Sequence, residues 1–166
     1  MKAMILNRTA AVESSPLVCL DVPMPQPGSE DLLVRVRCCG ICRTDLHVIE
    51  GELADPSLPL IPGHQVVGVI ERVGSAVKGR QIGERVGIAW LQRTCGSCEF
   101  CRSGRENLCL GARFTGYQVP GGYAEYAVVP ASFAYSIPDP FSDEEAAPLL
   151  CAGIIGYRAL KLSGIQ

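Results

Sequence analysis

At 166 residues, 48% hydrophobic and 19% charged, the chain has the make-up of an ordinary globular domain, long enough to bury roughly 70% of its unfolded surface around one core. Its formal net charge of −2 comes from well-mixed signs, so no basic stripe invites nucleic acid and no polybasic segment invites a membrane surface. The longest apolar run falls far short of a membrane span, and the opening residues MKAMILNRTA lack the apolar core of a signal peptide. With nine cysteines, this predicts a reducing, cytoplasmic setting in which thiols serve as ligands or as buried hydrophobes.

In chain order, the candidate strands are Ala3–Leu6, Val18–Asp21, Leu32–Arg37, Val66–Val73, Arg85–Ile88 and Ala124–Val129. Each is short, and most are bounded by turn residues such as Pro25-Gln26-Pro27-Gly28 or Pro120-Gly121-Gly122. Leu32, Val34 and Val36 alternate with Leu33, Arg35 and Arg37, the period of a half-buried strand. Val66-Val67-Gly68-Val69-Ile70 is continuous and predicts burial on both faces, with Gly68 permitting close backbone approach. A short helix is expected over Arg43–Glu50, before Gly51. Later, Ser142 followed by Glu145 matches a capping box, Pro148 interrupts, and an apolar helix runs from Leu149 to Leu162 and stops at Ser163-Gly164. The fold class is therefore mainly β with few helices, a partly open barrel forming one domain over residues 1–166.

A lobe over about residues 91–113 carries the densest chemistry. Cys95, Cys98 and Cys101 are spaced CxxCxxC, and Cys109 completes a tetrahedral thiolate set. Two alternatives stand beside structural zinc. A bacterial ferredoxin-type cluster would want the fourth Cys four residues after the third and followed by Pro, whereas Cys109 lies eight after Cys101 and precedes Leu110. A disulfide framework suits a shorter, secreted chain. Zinc fits the spacing best, and a closed four-thiolate site has no open position for catalysis.

Any second metal set must be assembled from distant residues. The only histidines are His47, in Cys39-Gly40-Ile41-Cys42-Arg43-Thr44-Asp45-Leu46-His47, and His64, in Pro62-Gly63-His64-Gln65. Catalytic zinc commonly takes three protein ligands, two cysteines with a histidine being one known set, and Cys42 and His64 supply two of the three. Spacing alone does not choose a third: Cys151, Cys38, Cys39 and Cys19 each read equally well as small buried hydrophobes.

Taken together, Cys39–His47, Gly63-His64, the CxxCxxC lobe and Pro148-Leu149-Leu150-Cys151-Ala152-Gly153 resemble the zinc-dependent alcohol dehydrogenases of the medium-chain dehydrogenase/reductase superfamily, across essentially the whole chain. The resemblance implies a GroES-like barrel as catalytic domain, normally followed by a Rossmann domain for NAD or NADP. It implies Cys42, His64 and Cys151 as catalytic zinc ligands, with Asp45 orienting His64. Thr44 would hydrogen-bond the substrate hydroxyl, and His47 would end a proton relay running through the cofactor ribose. Arg43 would reach the cofactor pyrophosphate, and Trp90 falls where the family places a substrate-pocket aromatic. The implied partner is a small-molecule alcohol or aldehyde.

Two departures accompany the resemblance. The residue after the ligand His is usually Glu in the family and is Gln65 here, which removes a negative charge beside the metal. No two of the eighteen glycines are separated by a single residue, so GxGxxG does not occur, and neither does GxxxxGK[ST]. The expectation is a catalytic domain without its cofactor domain, inactive alone, with homo-oligomers formed through the apolar face of Leu149–Leu162. The rival expectations are a stand-alone zinc-binding GroES-like module and another zinc reductase of the same superfamily.

Overall fold

The computed structural model describes residues 1–165. These residues form nine strands and four α-helices: β1 (Lys2–Leu6), β2 (Leu17–Asp21), β3 (Asp31–Gly40), α1 (Arg43–Glu50), β4 (Gln65–Val73), β5 (Arg85–Ile88), β6 (Leu91–Arg93), α2 (Glu99–Arg102), β7 (Arg113–Phe114), β8 (Tyr126–Pro130), β9 (Ala134–Ser136), α3 (Asp143–Pro148) and α4 (Ile154–Ser163), of which β6, β7, β9 and α2 were not among the expected elements. An antiparallel sheet in the order β8-β3-β4-β5-β9 curls into a partly open barrel, with β1 paired to β2 beside it and β6 paired to β7 at the base of the lobe. The fold class is the one read from the sequence.

Burial follows the apolar pattern closely. Leu32 and Val34 of β3 join Val66, Ile70, Val86, Ile88, Ala127 and Val129 in the barrel core. On the opposite face of β4, Val67 meets Ala89, Ala146, Ala147 and Leu150. The expected double-sided burial of β4 is observed, and at Gly68 a Cβ would lie 2.4 Å from the Arg35 carbonyl oxygen, so the close approach there needs glycine.

Three expectations change. Leu33 is fully buried, because the β3–β4 register slips between Leu33 and Val34; the strand starts out enclosed on both faces and alternates only from Arg35 onward. β3 also runs on to Gly40, where Cys38 and Cys39 pair with Val67 and Val66. Pro148 does not interrupt the helical run. It ends α3, and a π-helical turn over Leu149–Gly153 continues into α4, the wide turn accommodating a residue that has no N–H to donate and a ring that crowds the preceding carbonyls.

The Ser142 box is formed as expected: Ser142 Oγ accepts from the Glu145 N–H at 3.2 Å, and Glu145 accepts from the Ser142 N–H at 2.9 Å. Among the described residues no helix is long and apolar enough to cross a membrane.

Candidate metal centres and catalytic cleft

The lobe is built from local turns. β6 and β7 pair Leu91 with Phe114 and Arg93 with Arg113, tying its two ends together. Cys95, Cys98, Cys101 and Cys109 present four sulfurs that all lie within 4.8 Å of one another. Cys95 and Cys101 are 3.9 Å apart, and Cys98 and Cys101 are 3.5 Å apart. Two thiolates at about 2.3 Å from a tetrahedral zinc would sit about 3.8 Å from each other, so the spacing fits an ion and is far beyond a disulfide bond. The chain aims N–H groups at these sulfurs: Cys98 N–H donates to Cys95 Sγ and Cys95 N–H to Cys109 Sγ, each at 3.4 Å. Donation from the Ser97 and Cys98 N–H groups brings the Cys95 thiol down to about 6, the anionic form a metal requires.

A second cluster forms where the antiparallel register dictates. Gly40 at the end of β3 pairs with Gln65 at the start of β4, so Cys42, two residues past one strand, lies beside His64, one residue before the other. The third member arrives from far along the chain. Leu150 packs into the Val67–Ala147 cluster and over Gly87, where a Cβ would lie 2.7 Å from its methyl carbon. That contact carries Cys151, on the π-helical turn, to 3.8 Å from Cys42 Sγ, again the edge of a tetrahedron. Donor atoms of Cys42, His64 and Cys151 lie within 4.8 Å of one another.

The surroundings favour a cation. His64 is buried, and its Nδ1 is 3.0 Å from Asp45 Oδ1, which leaves Nε2 for the sulfurs. Asp45 is buried too, and its other oxygen accepts from the Cys42 N–H at 2.8 Å, so one carboxylate both begins α1 and orients the ring. Burial alone would raise the Cys42 thiol, but donation from the Thr44 N–H and hydroxyl, from Cys151 and from His64 outweighs it and lowers the pKa. Cys151 moves the other way, to about 11, through burial and the adjoining Cys42 sulfur. For His64, burial lowers the pKa while the Asp45 hydrogen bond and charge more than offset it, so the net shift is upward. Two sulfurs and one imidazole nitrogen, with a carboxylate behind the imidazole, make a three-ligand set that suits zinc.

The cluster opens into a cleft of about 560 Å³, whose lining includes Thr44, His64, Trp90 and Cys151. Trp90 stands edge-on to His64 at 5.1 Å and stacks on Phe114 at 5.1 Å, so it is at once a cleft wall and a packing anchor. Thr44 Oγ1 is 3.8 Å from Cys42 Sγ. His47, one helical turn further along α1, lies toward the surface and pairs with Glu52. Arg43 is exposed at the first turn of α1. Gln65 is buried and packs against the bare backbone of Gly40.

The structure therefore brings Cys42, Thr44, Asp45, His64 and Cys151 together, and sets Arg43 and His47 at the helix surface. Sequence reasoning missed Leu53, Asn107, Tyr135, Leu150 and Ile154 as cleft lining, because they come from separate segments without a shared period. It also missed Glu52; the bend at Gly51 was its signal.

Residues 28–139 match the model of the alcohol dehydrogenase GroES-like domain. The chain belongs to that family. It is 52% identical over 165 residues to a probable alcohol dehydrogenase, AdhA, of Mycobacterium tuberculosis, covering 96% of this chain and 48% of that protein. A solved NAD-dependent alcohol dehydrogenase superposes with a TM-score of 0.92 at 29% identity, covering 100% of this chain and 48% of the other. A cobalt- and zinc-bound thermostable alcohol dehydrogenase from Pyrobaculum aerophilum does so with a TM-score of 0.75 at 33% identity, over 82% of this chain and 40% of that one. The chain thus spans about half the length of the relatives it matches.

Proposed function

We propose that this domain is the zinc-holding half of an NAD(P)-dependent dehydrogenase that converts a primary or secondary alcohol to an aldehyde or ketone. The observation that carries the reading is the convergence of Cys42, His64 and Cys151 at a cleft, with His64 already oriented by Asp45. When bound, zinc supplies Lewis-acid polarisation of the substrate oxygen, and a nicotinamide dinucleotide accepts the hydride. Cys42, His64 and Cys151 hold the metal, and Asp45 keeps the His64 proton on Nδ1. Thr44 hydrogen-bonds the substrate oxygen at the cleft and relays its proton, accepting it while passing its own hydroxyl proton on toward the cofactor ribose. His47, held by Glu52 at the surface, is the solvent end of that proton path. Arg43 offers its guanidinium to a pyrophosphate. Trp90, Leu150 and Ile154 exclude water and favour an apolar substrate body.

The Cys95–Cys109 set holds a second, structural zinc over residues 91–113, and the chain of 1–166 acts as one GroES-like unit. The apolar side chains that α4 exposes, Ile155, Tyr157 and Leu162 among them, support assembly into homo-oligomers. Nine free cysteines support a cytoplasmic location.

The test is metal stoichiometry. The purified chain should retain two zinc per molecule, and Cys151→Ser should retain one. A wild-type chain holding one zinc, with Cys42 and Cys151 open to alkylation, would overturn the reading.

A further inference from the structure

Trp90, the only tryptophan, walls the cleft edge-on to His64, with the ring centroids 5.1 Å apart. A wall this close to a metal ligand crowds whatever the metal-bound oxygen carries, so the firmness with which the indole is held decides how much bulk the cleft accepts. Its backbone is pinned by Thr115. That residue is buried, and it donates its N–H to the Trp90 carbonyl at 2.8 Å and its hydroxyl to the Ala89 carbonyl at 2.7 Å.

The indole ring is held separately. Phe114 stacks on it at 5.1 Å with 18° between the planes, and Tyr117 at 5.8 Å with 15°. Offset, near-parallel aromatic pairs favour one mutual orientation, which apolar packing by itself does not. The Phe114 side chain has no polar atom to fix it further, whereas the Tyr117 hydroxyl donates to the Ala54 carbonyl. The Tyr117 carbonyl in turn accepts from the Ser57 N–H at 3.1 Å. The loop tied in this way follows Leu53, another residue that lines the cleft. Leu53, Trp90 and Tyr117 all pack against the same buried cluster of Leu6, Val48, Ile49 and Leu60. Tyr117, outside the lining, therefore joins two of its walls.

We propose that Tyr117 is a positioning residue for substrate selection: its stack on Trp90 and its tie to Ala54 hold the indole and Leu53 in a fixed relation, so that the cleft favours an unbranched alcohol over one bulky at the carbinol carbon. The inference rests on this cleft taking the alcohol of the proposed dehydrogenase. It adds a selecting element that the substrate never touches.

The experiment uses the zinc-loaded chain and the emission of its single tryptophan, titrated with 1-hexanol and with cyclohexanol, which share a carbon count and differ in bulk at the carbinol carbon. Wild type should bind 1-hexanol more tightly, and time-resolved anisotropy should show no indole rotation faster than that of the whole molecule. Tyr117→Leu keeps apolar bulk against the indole but removes the flat face and the hydroxyl. Tyr117 is half-buried at the edge of its cluster, so the change spares the core, and Tyr117→Met gives a second, independent reading of the same loss. In both variants the preference should shrink by about two- to tenfold and a fast rotational component should appear. Tyr117→Phe restores the stack without the Ala54 tie and should recover the greater part of the preference, a rescue that a need for bulk alone does not predict. An unchanged preference or anisotropy in Tyr117→Leu and Tyr117→Met, an equal loss in Tyr117→Phe, or equal affinity of wild type for the two alcohols would sink the Tyr117 role alone. A zinc-loaded wild-type chain that binds neither alcohol would take down both this inference and the function on which it rests.

Discussion

The two cysteine clusters solve the same geometric problem by opposite routes. The lobe draws all four sulfurs from residues 95–109, shapes them with its own turns and N–H groups, and closes its base with a two-stranded ribbon. The other centre joins Cys42 to Cys151 across 109 residues and relies on strand register and on Leu150 packing over Gly87. A closed site can be specified locally because nothing has to enter it. An open one must face a cleft, and its ligands therefore come from the elements that wall that cleft.

The largest contrast should appear when each cluster loses one sulfur. Cys101→Ser should remove one zinc and open the 91–113 segment to limited proteolysis, since a structural metal contributes its binding energy to local folding. Cys151→Ser should remove the other zinc and leave the proteolysis pattern unchanged. Matching patterns in the two variants would erase the distinction. Next in size is Leu150→Ala, which leaves a cavity over Gly87 and should cost about 2–4 kcal/mol in urea unfolding. It should also loosen metal at Cys42–His64–Cys151 and spare the lobe; undisturbed metal retention would show that α3 alone places Cys151.

How much of this could be read from the residues follows the same division. The lobe was legible because its ligands and its boundaries sit within one short segment. Helix α1 was legible at both ends, and β5 matched residue for residue, because short apolar runs bounded by turn residues leave little freedom. Leu33 was misassigned to an exposed face because a register slip leaves no mark on composition. Pro148 suggested a break where the chain uses a wide turn, because sequence signals register the missing N–H and not the packing of Leu150 that keeps the helix in place. Cys151 could be set above Cys38 and Cys39 only through family resemblance. Spacing holds no record of a contact made across the barrel.

A smaller effect probes the support behind the open centre. Asp45→Asn keeps the shape and a group able to accept from the Cys42 N–H, but removes the charge that fixes the His64 ring. Chelator competition should show roughly 10- to 100-fold weaker zinc at that centre and no change in the lobe, which has no comparable carboxylate. An equal loss at both sites would indicate general destabilisation instead.

The smallest expected effect separates a ligand thiol from a buried one three residues away. Cys42 has a lowered pKa because donors surround its thiolate, whereas burial pushes Cys39 up to about 12 from an ordinary 9.0. Between those two values the unfolded Cys39 thiol gives up its proton while the folded one keeps it, so the folded state binds more protons. Stability must then fall as pH rises through that window, by on the order of 1 kcal/mol per pH unit from this group, and the contribution is fully present below pH 9. Urea midpoints measured from pH 8 to 10.5 should decline less steeply in Cys39→Ala than in the parent chain, whatever the substitution costs at neutral pH. Parallel slopes would mean that Cys39 ionises freely in the folded state, and the contrast between the two thiols at the end of β3 would be lost.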